Sequence, residues 1–234
     1  MNLGLTPNAA DRPPRRGRIR LKNETRIMLA AEDVFGRLGY HAATTALVAQ
    51  RAGMPKANLH YYFKTKTDLY VKLLESIVTM WWQATESIRS DEEPAAALSR
   101  LVRAKIELSR QRPLASRIFA AEIVSGAPHL LPFLRGPLRA MVEEKSRVIE
   151  RWIELGKMDR VDPKHLFFQL WALTQTYADF SDQIAAVLGK RRLTRQDYTP
   201  AADRVTRLVL KGIGIGAGER ATVARRSAEP PHPV

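Results

Sequence analysis

Residues 44–63, TTALVAQRAGMPKANLHYYF, carry the spacing on which the fold turns. Counting from Thr45, the small residue Ala49 stands fifth, Gly53 ninth and Leu59 fifteenth. Two short helices crossing at a steep angle need these three things: a small residue where the backbones approach, a residue that takes positive φ in the tight turn, and an apolar side chain that roots the second helix in the core. The second helix, Pro55 to Tyr61, is the one such a motif presents to a DNA major groove. The alternative is a surface helical hairpin. Two features weigh against it. The run His60-Tyr61-Tyr62-Phe63 closes the second helix, and Thr65-Lys66-Thr67-Asp68 fits a capping box, with Asp68 three residues after Thr65. A further helix therefore starts at once, and its exposed N–H groups beside Lys66 suit a phosphate.

From Glu24 to Leu74 the order of residues is an amphipathic helix, Phe35, Gly39-Tyr40, Thr44-Thr45, Val48-Ala49, Ala52-Gly53, Leu59 to Phe63, Lys66 and Leu69. In this order and spacing the chain resembles the TetR family of bacterial transcription regulators. The resemblance implies an all-α homodimer, each subunit with an N-terminal DNA-binding domain and a larger C-terminal domain that binds ligand and dimerises. Pro55 departs from the serine common at that position in the family; proline is tolerated in a first helical turn, where its missing N–H would be unpaired anyway. The residues expected at DNA are Thr44, Thr45, Pro55, Lys56, Asn58, His60, Tyr61 and Lys66. Lys56 and Asn58, early in the second helix, reach base edges, while Tyr61 and Lys66 hold phosphates.

Composition agrees with a polyanionic partner. The 234 residues carry a net charge of +14, which favours DNA. The charge is uneven: Arg12, Arg15, Arg16, Arg18, Arg20 and Lys22 face one acidic residue, Asp11, within 1–22. With Pro13, Pro14 and Gly17 opposing a helix there, 1–22 reads either as a solvated tail or as a flexible arm that follows phosphates or enters a minor groove. There is no cysteine, so disulfides, zinc–thiolate sites and thiol nucleophiles are excluded. No run approaches ~18 apolar residues, and no apolar stretch follows the N-terminal arginines as a signal peptide requires. A cytoplasmic protein without membrane contact or cofactor is expected.

The hydrophobic pattern is helical throughout. Ile27, Ala31, Val34, Phe35 and Leu38 form one stripe on 24–38, with Asn23 placed to cap it and Gly39 to end it. Helices are expected over 44–52, 55–61, 66–89, 95–110, 114–124, 130–155 (irregular near Pro132 and Pro137), 164–188 and 200–214. The domains expected are a basic arm, 1–22; a helix-turn-helix domain, 23–65; a ligand-binding and dimerisation domain, 66–216; and a tail, 217–234. The segment 164–188 is apolar nearly all round, which requires burial on several sides. Either 164–188 and 200–214 are intrachain core, or, as the resemblance implies, they build a four-helix bundle across a two-fold axis. A helix-turn-helix reading palindromic half-sites favours the dimer.

Trp81, Trp82, Trp152 and Trp171 all lie in the C-terminal two thirds, among polar Gln169, Thr174, Gln175, Tyr177 and Asp179. Gln175 follows Trp171 by one helical turn, so a flat aromatic face and an amide that both donates and accepts share one side. That pair suits a planar heterocycle with adjacent N–H and C=O groups; the alternative is a core tryptophan beside a glutamine that satisfies the backbone. Between Pro113 and Asp179 the stretches Ser116-Arg117-Ile118-Phe119, Gly126-Ala127-Pro128, Asp162-Pro163 and Trp171 to Phe180 resemble a TetR subgroup of pyrimidine-utilisation repressors. This implies a ring near Trp81, Trp171 and Gln175, with Tyr177 and Asp179 close by. Trp82 departs from the subgroup, where the residue is smaller; pointing inward, it would reshape the pocket.

The partners expected are double-stranded DNA with a palindromic operator, a small-molecule effector and a second copy of the chain. A different effector, such as a purine, and a DNA-binding protein with no effector are the alternatives. An enzyme is disfavoured: there is no glycine-rich phosphate loop, HExxH or G-x-S-x-G, and His41, His60, His129, His165 and His232 are scattered.

Overall fold

The computed structural model describes residues 15–215, and every regular element among them is helical. The tail 217–234 and residues 1–14 of the arm lie outside the described residues. The chain divides into two compact units at Leu73/Leu74.

The first unit opens with α1 (Arg15–Ala42). This helix takes in residues 15–22, which Gly17 was expected to keep non-helical. One glycine in a helix interior costs only ~1 kcal/mol, and arginine and leucine around it are good helix formers. Asn23 is accordingly inside α1 and not its cap; its Nδ2 donates to the Tyr62 hydroxyl at 3.1 Å. Ile27, Ala31, Val34 and Phe35 are buried as the stripe requires. Leu38 is exposed, on the last turn before Gly39 leaves helical geometry at φ 74°, ψ 171°, and the Tyr40 ring stacks on Phe35 instead. α2 (Thr45–Arg51) and α3 (Lys56–Tyr62) follow. Gly53, at φ 62°, makes the turn between them, and Met54 N–H returns to the Ala49 carbonyl at 3.0 Å. Leu59 roots α3 with no exposed surface.

The capping box at the head of α4 (Lys66–Ala84) is reciprocal. Thr65 N–H donates to Asp68 Oδ2 and Asp68 N–H to Thr65 Oγ1, both at 3.0 Å. The first turns of α4 bury Leu69, Tyr70 and Leu73. Tyr70 packs against Phe35 and Tyr40 at 5.0 and 4.6 Å between ring centres. This aromatic cluster explains why the unit ends at Leu73 and not at residue 65.

In the second unit α4 stops at Ala84, short of 89, and passes into a 3₁₀ turn, Thr85–Ser87. α5 (Pro94–Gln111) and α6 (Pro113–Val124) each start on a proline, where its missing N–H is harmless. The irregular stretch is one turn of α7 (Leu131–Phe133), a π-helical turn over Leu134–Leu138 that accommodates Pro137, and then α8 (Arg139–Glu154). The segment 164–188 is two helices, α9 (Pro163–Asp179) and α10 (Ser181–Val187), split at Phe180. α6 ties this corner: Ser116 Oγ donates to Asp179 Oδ1 at 2.6 Å and Arg117 to Ser181 Oγ at 3.0 Å. α11 (Arg195–Gly212) begins well before residue 200, because Thr194 and Asp197 form a second capping box ahead of Pro200. α9 and α11 pack along α5, around a core that includes Leu98, Ile106, Trp152, Phe167, Leu170 and Val205.

Candidate DNA-binding face and effector cavity

The single fully buried residue of α3 is Leu59, and His60 and Tyr62 are half-buried beside it. Pro55, Lys56, Asn58 and Tyr61 are exposed. Pro55 holds the N-cap position at φ −58°, ψ 144°, without a side-chain cap, and its carbonyl accepts from Asn58 N–H at 3.0 Å. Thr44 is the N-cap of α2; its Oγ1 accepts from Leu47 N–H at 3.2 Å. Thr45, the first residue of α2, is half-buried. His60 is half-buried and its Nδ1 donates to the Lys64 carbonyl at 3.2 Å, closing the turn into α4. Lys66 Nζ donates to the His41 carbonyl at 3.1 Å and lies 4.4 Å from the centre of the Tyr40 ring. Its ammonium is thus held in place, with further N–H donors to spare.

One residue of this face escaped sequence reasoning. Arg26 donates to the carbonyls of Ala52 and Gly53, the latter at 3.0 Å. It satisfies the open end of α2 and fixes the turn before α3. A shallow cleft lined by Asn23, Arg26, Gly53, Asn58 and Tyr61 lies beside it.

The second unit contains a cavity of about 60 Å³ measured at water centres. That accepts about four to six waters. Trp81 and Trp82 of α4, Phe119 of α6, Met141 of α8 and Trp171 of α9 make its walls, with Val78, Thr85 and Leu138 between them. Trp81 meets Phe119 edge-on at 4.7 Å. The polar groups on the wall include Gln175 and Lys105. Trp82 faces the cavity and narrows it, as its size requires. Tyr177 and Asp179 do not line it. Tyr177 stands two residues beyond Gln175, about 200° round the helix, where its ring packs near Tyr198 and its carbonyl accepts from the Tyr198 hydroxyl at 3.4 Å. Asp179 continues the Trp171–Gln175 face by one more turn, past the end of the cavity, and is held there by Ser116. Burial pushes the Asp179 carboxyl above its ordinary pKa, against the hydrogen bond from Ser116.

Comparison with known proteins meets this geometry directly. A family model described as bacterial regulatory proteins, tetR family, matches residues 27–73, and one described as YcdC-like protein, C-terminal region, matches residues 74–216. The chain belongs to the TetR family. It is 37% identical over 209 residues to the HTH-type transcriptional regulator RutR of Escherichia coli K12, spanning 89% of this chain and 99% of that one. The fold is shared with the ketosteroid transcriptional regulator KstR2 of Mycobacterium tuberculosis (16% identity, 81% and 94% of the two chains, TM-score 0.64). It is shared also with FadR of Bacillus subtilis solved with stearoyl-CoA (17% identity, 81% and 98%, TM-score 0.62). This TetR-family chain is a DNA-binding transcriptional regulator, not an enzyme, of a class that responds to effectors and acts as dimers.

In this TetR-family chain Lys105 is the charged residue of the cavity wall, absent from the residues expected there. The signal was available: Leu98, Leu101, Val102, Ile106 and Ser109 mark the buried face of α5, and Lys105 falls within that stripe. Its side chain is 6% exposed, and burial lowers its pKa to about 8.

Proposed function

We propose that this regulator is a repressor released from a palindromic operator by a small planar heterocycle of pyrimidine type. The observation that carries the reading is the cavity itself. Aromatic walls with few polar groups make a small-molecule site. The pyrimidine class rests on the sequence resemblance. The ring lies against Trp171 and Trp81, and the Gln175 amide reads adjacent N–H and C=O groups on its edge. Trp82 sets the size limit.

On the DNA side, Lys56 and Asn58 read base edges, while Thr44, Thr45, Pro55, Tyr61 and Lys66 contact or position phosphates, and His60 braces the end of α3. The basic residues of 12–22 add phosphate contacts. Dimerisation uses α9 to α11, where Phe168, Phe180, Val187, Leu188 and Leu208 are exposed; apolar surface of this kind marks an interface. α4 is one helix from Lys66 to Ala84, with Trp81 near its end. A ring seated on Trp81 biases α4, and with it the separation of the two recognition helices, which must match grooves ~34–36 Å apart. The ligand acts because it binds the released dimer state better than the DNA-bound one. The expected compartment is the cytoplasm; among the described residues no helix is long and apolar enough to cross a membrane.

The test is calorimetric titration of uracil, thymine and purines into the wild type and Gln175→Leu. The substitution keeps approximate size and leaves the ring edge unmet, so affinity should fall by ~1–3 kcal/mol while DNA binding persists. No heat with any compound in the wild type contradicts the heterocycle reading; equal affinities in both proteins remove Gln175 from it.

A further inference from the structure

Lys105 sits at the wall of the cavity with its ammonium 5.0 Å from the centre of the Trp81 ring. Among the described residues it has no hydrogen-bond acceptor and no contact ion pair. The neighbouring walls offer uncharged groups: Trp81 from α4, Phe119 from α6, Met141 from α8 and Gln175 from α9. The charge that acts on it is Asp179 of α9, whose carboxylate is engaged by Ser116 at 2.6 Å and also feels Arg117. On α11, which also packs on α5, Asp203 is tied to Arg103 at 2.7 Å.

A buried cation without a hydrogen-bond acceptor is unfavourable, and the Trp81 face and the more distant Asp179 offset only part of that cost. With its pKa near 8, Lys105 is still protonated roughly ten to one at pH 7. A neutral ring carbonyl would give it an acceptor but leave its charge uncompensated. A ring anion with its charge on the carbonyl oxygens gives both, through a short charge-assisted hydrogen bond. The delocalised anion stays planar, so the tryptophan faces and Gln175 serve it equally well.

We propose that the cavity selects a monocyclic heterocycle ionised at neutral pH, a ring imide with negative charge shared over its oxygens, and that Lys105 reads that charge. This deepens the heterocycle reading and rests on it. The test compares barbiturate, an anion at neutral pH, with uracil, a neutral ring of similar size, by calorimetry at pH 7. The wild type should bind barbiturate about tenfold or more tightly than uracil. Lys105→Met should abolish that preference, with barbiturate affinity falling about tenfold further than uracil affinity. A second measurement needs no variant. Barbiturate affinity of the wild type should fall about tenfold from pH 7 to pH 9, as Lys105 loses its proton while the ligand stays ionised.

Uracil binding as tightly as barbiturate in the wild type overturns charge selection and leaves the heterocycle reading standing. An unchanged preference in Lys105→Met, with no fall in affinity toward pH 9, overturns the role of Lys105. Binding of neither ring overturns both readings.

Discussion

Replacing Lys105 by methionine should make the unliganded protein more stable. Burial moves the Lys105 pKa from 10.5 to about 8, with Asp179 opposing the shift. That difference of about 2.5 units, at ~1.4 kcal/mol each, makes the buried charge unfavourable by roughly 3 kcal/mol at pH 7. Removing the ammonium from the Trp81 face offsets about 1 kcal/mol. Methionine, unbranched and of similar length, fills the same channel, so the net gain is about 2 kcal/mol. The pH dependence carries the sign. The folded pKa lies below the unfolded one, so between pH 8 and 10.5 the unfolded chain holds the proton more firmly. Wild-type stability therefore rises with pH across that window, and the full penalty applies below pH 8. Urea unfolding of both proteins, followed by far-ultraviolet circular dichroism at pH 7 and pH 10, measures this. The variant should have the higher midpoint at pH 7, and the gap should narrow at pH 10. A less stable variant at pH 7, or a gap that does not change with pH, refutes the assignment of Lys105 as a buried, uncompensated cation.

Three further outcomes follow from the DNA-binding unit. Asn58→Ala should cost ~1–3 kcal/mol of discrimination at one base pair, seen as relaxed preference in a panel of single-substitution operators, whereas Lys66→Ala should weaken every sequence alike. Glutamine at Arg12, Arg15, Arg16, Arg18, Arg20 and Lys22 should flatten the log–log salt dependence of DNA binding by ~0.9 for each phosphate that is no longer neutralised; an unchanged slope makes the segment inert. Thr65→Ala removes one half of the capping box at α4 and should lower stability by ~1 kcal/mol in chemical denaturation, with no measurable loss arguing that the aromatic cluster alone holds the start of that helix.

The DNA-binding unit was legible because each of its signals is local. Ala49, Gly53 and Leu59 are fixed by two helices and a turn, and Thr65 with Asp68 caps α4 within four residues. Local signals also explain the misplaced boundaries. Pro200 reads as a helix start, but the box at Thr194 and Asp197 lies upstream, and proline is accommodated near the beginning of α11. No residue at Phe180 announces the break between α9 and α10, because Ser116 and Arg117 on a distant helix make that corner. The cavity was half visible. Trp171 and Gln175 share a face by simple periodicity, and Trp81 entered through resemblance. Tyr177 lies off the cavity face because two residues along a helix turn a side chain to another side. Lys105 was missed because a lysine among alternating charges such as Arg100, Arg103 and Glu107 reads as solvated; its burial arises only when α4, α6, α8 and α9 close around it.

A planar ring in the cavity and DNA on α3 should exclude one another. Fluorescence anisotropy of a labelled duplex, selected by the protein from a random pool and titrated with barbiturate and with uracil, tests it most directly. Release of the duplex at ring concentrations that match the calorimetric affinity, absent in Gln175→Leu, is the predicted result. Saturating ring binding that leaves DNA affinity unchanged would mean that the cavity and α3 are not coupled.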